Sequence, residues 1–124
     1  MNINDKLKEL KIEEIIWIIY IGIIILSFYS NKLEKNYFLF KDQTSKEKYR
    51  KNMILIFSIL IFVYFYFLKD SFNSIKNLKK YDTDKKKKLN YLSFIASLLI
   101  FISGIIFLYI AYNDYDIDVE LAFN

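Results

Sequence analysis

Charged and apolar positions fall in long separate blocks along this chain. Ile15–Tyr29, Met53–Leu68 and Tyr91–Tyr112 contain no Asp, Glu, Lys or Arg, and charged segments fence each of them. A helix that is apolar on every side has no water-facing stripe, so it must be buried in protein or in lipid. A chain of 124 residues has too little other material to bury three such helices, which leaves lipid. The pattern predicts an all-α integral membrane protein: three transmembrane helices, spanning about residues 15–29, 53–68 and 91–112, with helical ends extending beyond the bilayer and a short acidic C-terminal tail. Residues 1–113 form the three-span domain in this reading, and 114–124 the tail.

Span length tests the count. At about 1.5 Å per residue the third block covers roughly 33 Å, enough for a hydrocarbon core of about 30 Å. The first two cover only about 22–24 Å by the same arithmetic. Lys11, Lys32, Lys51 and Lys69 flank these blocks and can snorkel to the interface, while local thinning takes up the remainder. The competing reading makes one short block re-entrant or interfacial. Trp17, Tyr29, Tyr64, Tyr66, Tyr91, Tyr109 and Tyr112 lie near block boundaries, where amphipathic rings prefer to sit.

Helical signals run past the apolar blocks. Ile3, Leu7 and Leu10 are at helical spacing, so a short amphipathic helix is expected to lead into the first span. The fourteen-residue lead carries as much acid as base, and no small-x-small site follows, so the first span reads as an uncleaved anchor. Thr44-Ser45-Lys46-Glu47 fits a capping box and starts the second helix near residue 45. Phe72, Ile75 and Leu78 carry its periodicity to about residue 79. Asp82-Thr83-Asp84 supplies N-cap candidates for the third helix.

Charge sets the expected orientation. The lead and second connection together hold eleven basic residues, against seven for the first connection and tail. The positive-inside rule then places the chain in a cell membrane with its N-terminus cytoplasmic and its C-terminus outside.

Composition removes chemistry. No Cys means no disulfide, thiolate nucleophile or lipidated cysteine, and no His removes the commonest metal ligand and general base. Arg occurs once, at Arg50, so the guanidinium forks that read nucleic acid are nearly absent and no nucleic-acid partner is expected. No enzyme activity, metal or cofactor is expected. The abundance of Ile, Lys, Asn, Phe and Tyr follows A/T-rich codons, which weakens any motif built from Lys or Asn.

Three constellations remain. Ser93, Ser97, Gly104 and Ala111 share one face of the third helix, a small-residue seam of the kind that lets helices pack closely in lipid. Gly22 and Ser58 are its expected counterparts, either within one chain or against a second copy or a partner membrane helix. Lys85, Lys86, Lys87 and Lys88 adjoin the third span and are candidates for contact with membrane lipid headgroups, or simply anchors of topology. In the tail, acids alternate with Tyr115, Ile117, Val119, Leu121 and Phe123. Period two places those five on one face of an extended strand that could add to the edge of a protein partner's sheet. The plainer reading is a solvated acidic tail lying on the basic first connection. A calcium loop at Asp114, Asp116 and Asp118 fails on the missing glycine and twelfth-position glutamate.

The expected role is that of a small non-catalytic membrane protein acting through protein contacts, of accessory, regulatory or immunity type. The alternative is an oligomeric pore-forming or membrane-permeabilising protein, such as a holin or toxin. Against it, no span carries an ionisable group, and Tyr20, Ser58, Ser97 and Ser103 are the polar side chains away from span ends.

Overall fold

The computed structural model describes residues 2–121, and among these the secondary structure is entirely helical. Three helices form: α1, Ile3–Phe40; α2, Gln43–Lys76; and α3, Asp84–Asn113. At about 1.5 Å per residue they run roughly 45–57 Å, well beyond a hydrocarbon core of about 30 Å. Each is long and apolar enough to cross a membrane, and the chain is a multi-pass membrane protein. The lead does not form a separate element: α1 is continuous from Ile3 through the first span, capped by Asn2, whose Oδ1 accepts from the Asp5 N–H at 2.8 Å.

Caps correct two expected boundaries. Asp42, not Thr44, caps α2: its Oδ1 accepts from the Thr44 N–H at 3.1 Å and its Oδ2 from the Ser45 hydroxyl at 2.8 Å. That hydroxyl hydrogen bond holds the Asp42 carboxyl below its ordinary range. A carboxylate two residues upstream outcompetes the Thr44 hydroxyl for the free amides of the first turn. The helix then stops at Lys76, three residues short of the periodic signal, with Asn77 as its C-cap. Thr83 caps α3 as expected, its Oγ1 accepting from the Lys86 N–H at 3.1 Å.

Topology follows from the connections. Lys41 and Asp42 alone join α1 to α2, with Lys41 left-handed at φ 54° and its N–H donating to Tyr37 O at 2.7 Å. So short a turn forces an antiparallel hairpin. Helix α2 lies in the centre and packs on both α1 and α3, whereas the two outer helices do not pack on each other. Met53, Ile56, Phe57 and Leu60 form the buried stripe of α2 at one end of the bundle. Ile23 and Leu33 from α1, Ala111 from α3, and Ile117 and Leu121 from the tail close over this stripe. Within the same end, Asn52 Nδ2 donates to Leu26 O at 2.9 Å and to Ser30 Oγ at 2.5 Å, tying α2 to α1.

Candidate functional site

A cleft of about 290 Å³ lies between α1 and α3 over the second half of α2. Tyr20 of α1 lines it, as do Tyr64, Phe67, Asp70, Ser71 and Ser74 of α2 and Ser93, Ser97 and Ile100 of α3. Ser71 and Ser74 return their hydroxyl protons to carbonyls one turn back, at Phe67 and Asp70. The hydroxyls of Tyr20, Tyr64, Ser93 and Ser97 make no hydrogen bond to another described residue. These four hydroxyls are part-exposed or exposed at the cleft and open to a partner there.

The mouth of the cleft is acidic. Asp70 sits two residues beyond the apolar block, and Glu9 and Glu13 of α1 face it, with Lys6 nearby. The Glu9 and Asp70 carboxyls lie within hydrogen-bonding reach of each other, which is satisfied only when one carries a proton. With both ionised, Glu9 Oε2 is buried without a donor. Burial first, then the charges of Glu9 and Glu13, push the Asp70 carboxyl up from its ordinary value. Ser74 also lines a larger outer chamber of about 640 Å³, which reaches Asp5, Lys79, Asp82 and Lys86. There Asp82 is held below its ordinary range by the Lys79 N–H, 2.7 Å away, and by Lys86 Nζ at 3.2 Å.

The other end carries the tail, which is not an extended strand among the described residues. Both oxygens of Asp114 are engaged: Oδ1 accepts from the Asp118 N–H at 3.0 Å and Oδ2 from the Val119 N–H at 2.8 Å. This folds the segment into a turn and puts Ile117 in the left-handed region at φ 56°. Lys46 Nζ reaches Asp116 at 2.9 Å, and Arg50 donates to Tyr112 O at 3.0 Å while its guanidinium stacks on the Tyr115 ring. The expected single face is therefore divided. Ile117 and Leu121 enter the core, Tyr115 and Val119 stay exposed, and Phe123 lies outside the described residues.

No family model, curated protein or solved structure matches this chain.

The small-residue seam of α3 is likewise divided. Gly104 and Ala111 are buried. A Cβ at position 104 would stand 3.0 Å from the Tyr64 ring and 3.4 Å from Ile61, so α3 approaches α2 closely there. Ser93 and Ser97 face the cleft instead. Gly22 does not meet the seam: a Cβ there would have nothing within 4 Å, and it lines an apolar groove with Ile19, Ile25 and Ile59. Ser58 is half-buried on α2. Lys85, Lys86, Lys87 and Lys88 occupy the first turns of α3, all exposed except the half-buried Lys87, whose Nζ donates to Lys80 O at 3.3 Å. Cations at a helix N-terminus oppose the macrodipole, so they add nothing to helix stability, while Asp84 offsets them.

In the sequence Tyr20 stands as an isolated polar position, Ser97 as part of the small-residue seam and Tyr64 as a boundary aromatic, while Asp70, Ser71 and Ser74 carry no assigned part. Their signal was weak but present: Asp70, Ser71 and Ser74 close the second span on one helical face, and Ser93 and Ser97 open the third on one face.

Proposed function

We propose that this chain is a non-catalytic membrane protein that acts through protein contacts made at its tail end. The observation that supports the reading is an exposed apolar cluster beyond the end of the first apolar block. Phe38, Leu39 and Phe40 end α1 with 56%, 62% and 72% of their surface exposed, and Tyr115 and Val119 lie exposed at the same end of the bundle. Phe38–Phe40 stand about 14–16 Å beyond Tyr29 along the helix axis, at about 1.5 Å per residue. A core of about 30 Å with some 6 Å of headgroup on each side ends roughly 10 Å beyond Tyr29, so lipid does not account for covering them. Exposed apolar clusters in water mark interaction surfaces.

The excess of Lys on the lead and on the α2–α3 connection supports a cytoplasmic placement of both, with the tail end outside a cell membrane. The four lysines at the start of α3 then meet the inner leaflet, where anionic headgroups attract them. An oligomeric pore is the second reading, and the hydroxyls lining the cleft are what would favour it. Conductance steps in planar bilayers that vanish with Ser97→Leu would move it to first place.

Photo-crosslinking side chains introduced at Phe38 and Phe40 in native membranes test the contact reading. A discrete protein adduct from both positions, lost when Leu39 is replaced by Asp, is the expected result. Lipid adducts alone from both positions would refute it.

A further inference from the structure

We propose that the cleft between α1 and α3 binds a primary ammonium group carried on a small apolar body. This site lies at the end of the bundle opposite the contact surface and stands independently of that reading. Four features of the cleft converge on such a ligand. Tyr20, Tyr64 and Phe67 bring aromatic rings, whose faces attract a desolvated cation. The hydroxyls of Tyr64 and Ser97, without partners among the described residues, can accept N–H hydrogen bonds. Asp70, a lining residue, supplies the counter-charge at the mouth and can accept from an ammonium there. Ile100 and Phe67 leave room for an apolar body within about 290 Å³.

Other ligand classes fit less well. An anion would meet Asp70 with Glu9 and Glu13 behind it. A metal ion finds no cluster of three or more carboxylates able to hold it among the described residues. A neutral polyol would use the hydroxyls but leave the Asp70 carboxylate without a counter-charge. Entry from water is through the outer chamber, which shares Ser74 with the cleft.

The ligand needs Asp70 ionised. Groups facing Asp70 are Lys6, Glu9 and Glu13 from α1 and Tyr66 on α2 itself, while α3 brings Ser93 and Ser97 to the cleft. Because the acidic neighbours and burial favour the protonated carboxyl, affinity should fall as pH is lowered through the raised Asp70 titration and be restored above it.

The test is calorimetric titration of the full chain in detergent with 2-phenylethylammonium, using 2-phenylethanol as the uncharged analogue. Saturable binding of the amine is expected, weakened about tenfold or more by Asp70→Asn, the range expected for one charged hydrogen-bonded partner. Asp5→Asn, which alters a carboxylate of the outer chamber only, should leave the affinity unchanged. Ser97→Leu fills the cleft without changing charge and should abolish binding, with helicity and Trp17 emission retained as the check on folding. Absence of saturable binding to the wild-type chain would overturn the proposal. So would equal affinity in the wild type and Asp70→Asn, equal binding of the alcohol, or unchanged binding in a folded Ser97→Leu.

Discussion

Ile117 sets two effects of similar size against each other, and replacing it by glycine decides between them. Its side chain is only 7% exposed and joins the core beneath the tail, while its backbone is left-handed at φ 56°. Burying an isoleucine side chain contributes about 1.5–3 kcal/mol. Holding a residue with a Cβ in the left-handed region costs roughly 1–2 kcal/mol, and more for a β-branched one. Glycine removes that strain but also raises the entropy of the detached tail, which costs about 0.5–1 kcal/mol. The difference leaves the tail about 1 kcal/mol less firmly docked, since loss of burial and added entropy together outweigh the relief of strain. That is about a fivefold rise in the detached population. The Asp118 and Val119 amides report it directly, because both donate to the Asp114 carboxylate only while the turn is folded. Hydrogen exchange at these two amides should accelerate about fivefold in Ile117→Gly, following the population of the open form. Val119→Gly, at an exposed position of ordinary φ, should change it less. Slower exchange in Ile117→Gly would refute the reasoning, because backbone strain would then exceed the burial that the core provides.

Two further outcomes are expected. The Lys46 ammonium holds the Asp116 carboxyl below its ordinary range, so the ion pair supports the docked tail fully above the ordinary aspartate titration. That support is lost as pH falls through the lowered Asp116 value, so the protection of the Val119 amide relative to its intrinsic exchange rate should fall in acid, and Asp116→Asn should remove this dependence. Asp116 is exposed while Lys46 is half-buried, so added salt should shrink the effect in part. Gly104→Leu should destabilise the bundle by about 1–3 kcal/mol in denaturing-detergent titrations followed by circular dichroism, because the added atoms meet Tyr64 and Ile61 at the α2–α3 contact. Gly22→Leu, facing open space, should be near neutral, and equal losses at the two glycines would argue against the close approach at position 104.

Much of the architecture was legible in the order of residues. Charge-free blocks require helices in lipid whatever the neighbours do, because unpaired backbone groups cannot face hydrocarbon and only a helix pairs them internally. Span number, helical class and the cap at Thr83 all rest on such local rules. What pattern could not supply was the arrangement of the three helices. In a span apolar all round, no stripe of polarity says which side faces a neighbour, so α2 at the centre and the parting of α1 from α3 appear only with tertiary contacts. The cleft depends on that parting: Tyr20, Tyr64 and Ser97 are unrelated polar points along the chain until three helices bring them to one cavity. The tail shows the same limit from the other side. Alternation from Asp114 to Leu121 fits a strand only if no competing partner exists, and a carboxylate at Asp114, a cation at Lys46 and the apolar cluster that includes Leu33 are all such partners. Local periodicity proposes a conformation for an isolated segment, and packing against the rest of the molecule overrides it wherever burial and charge pairing together exceed the cost of one left-handed residue.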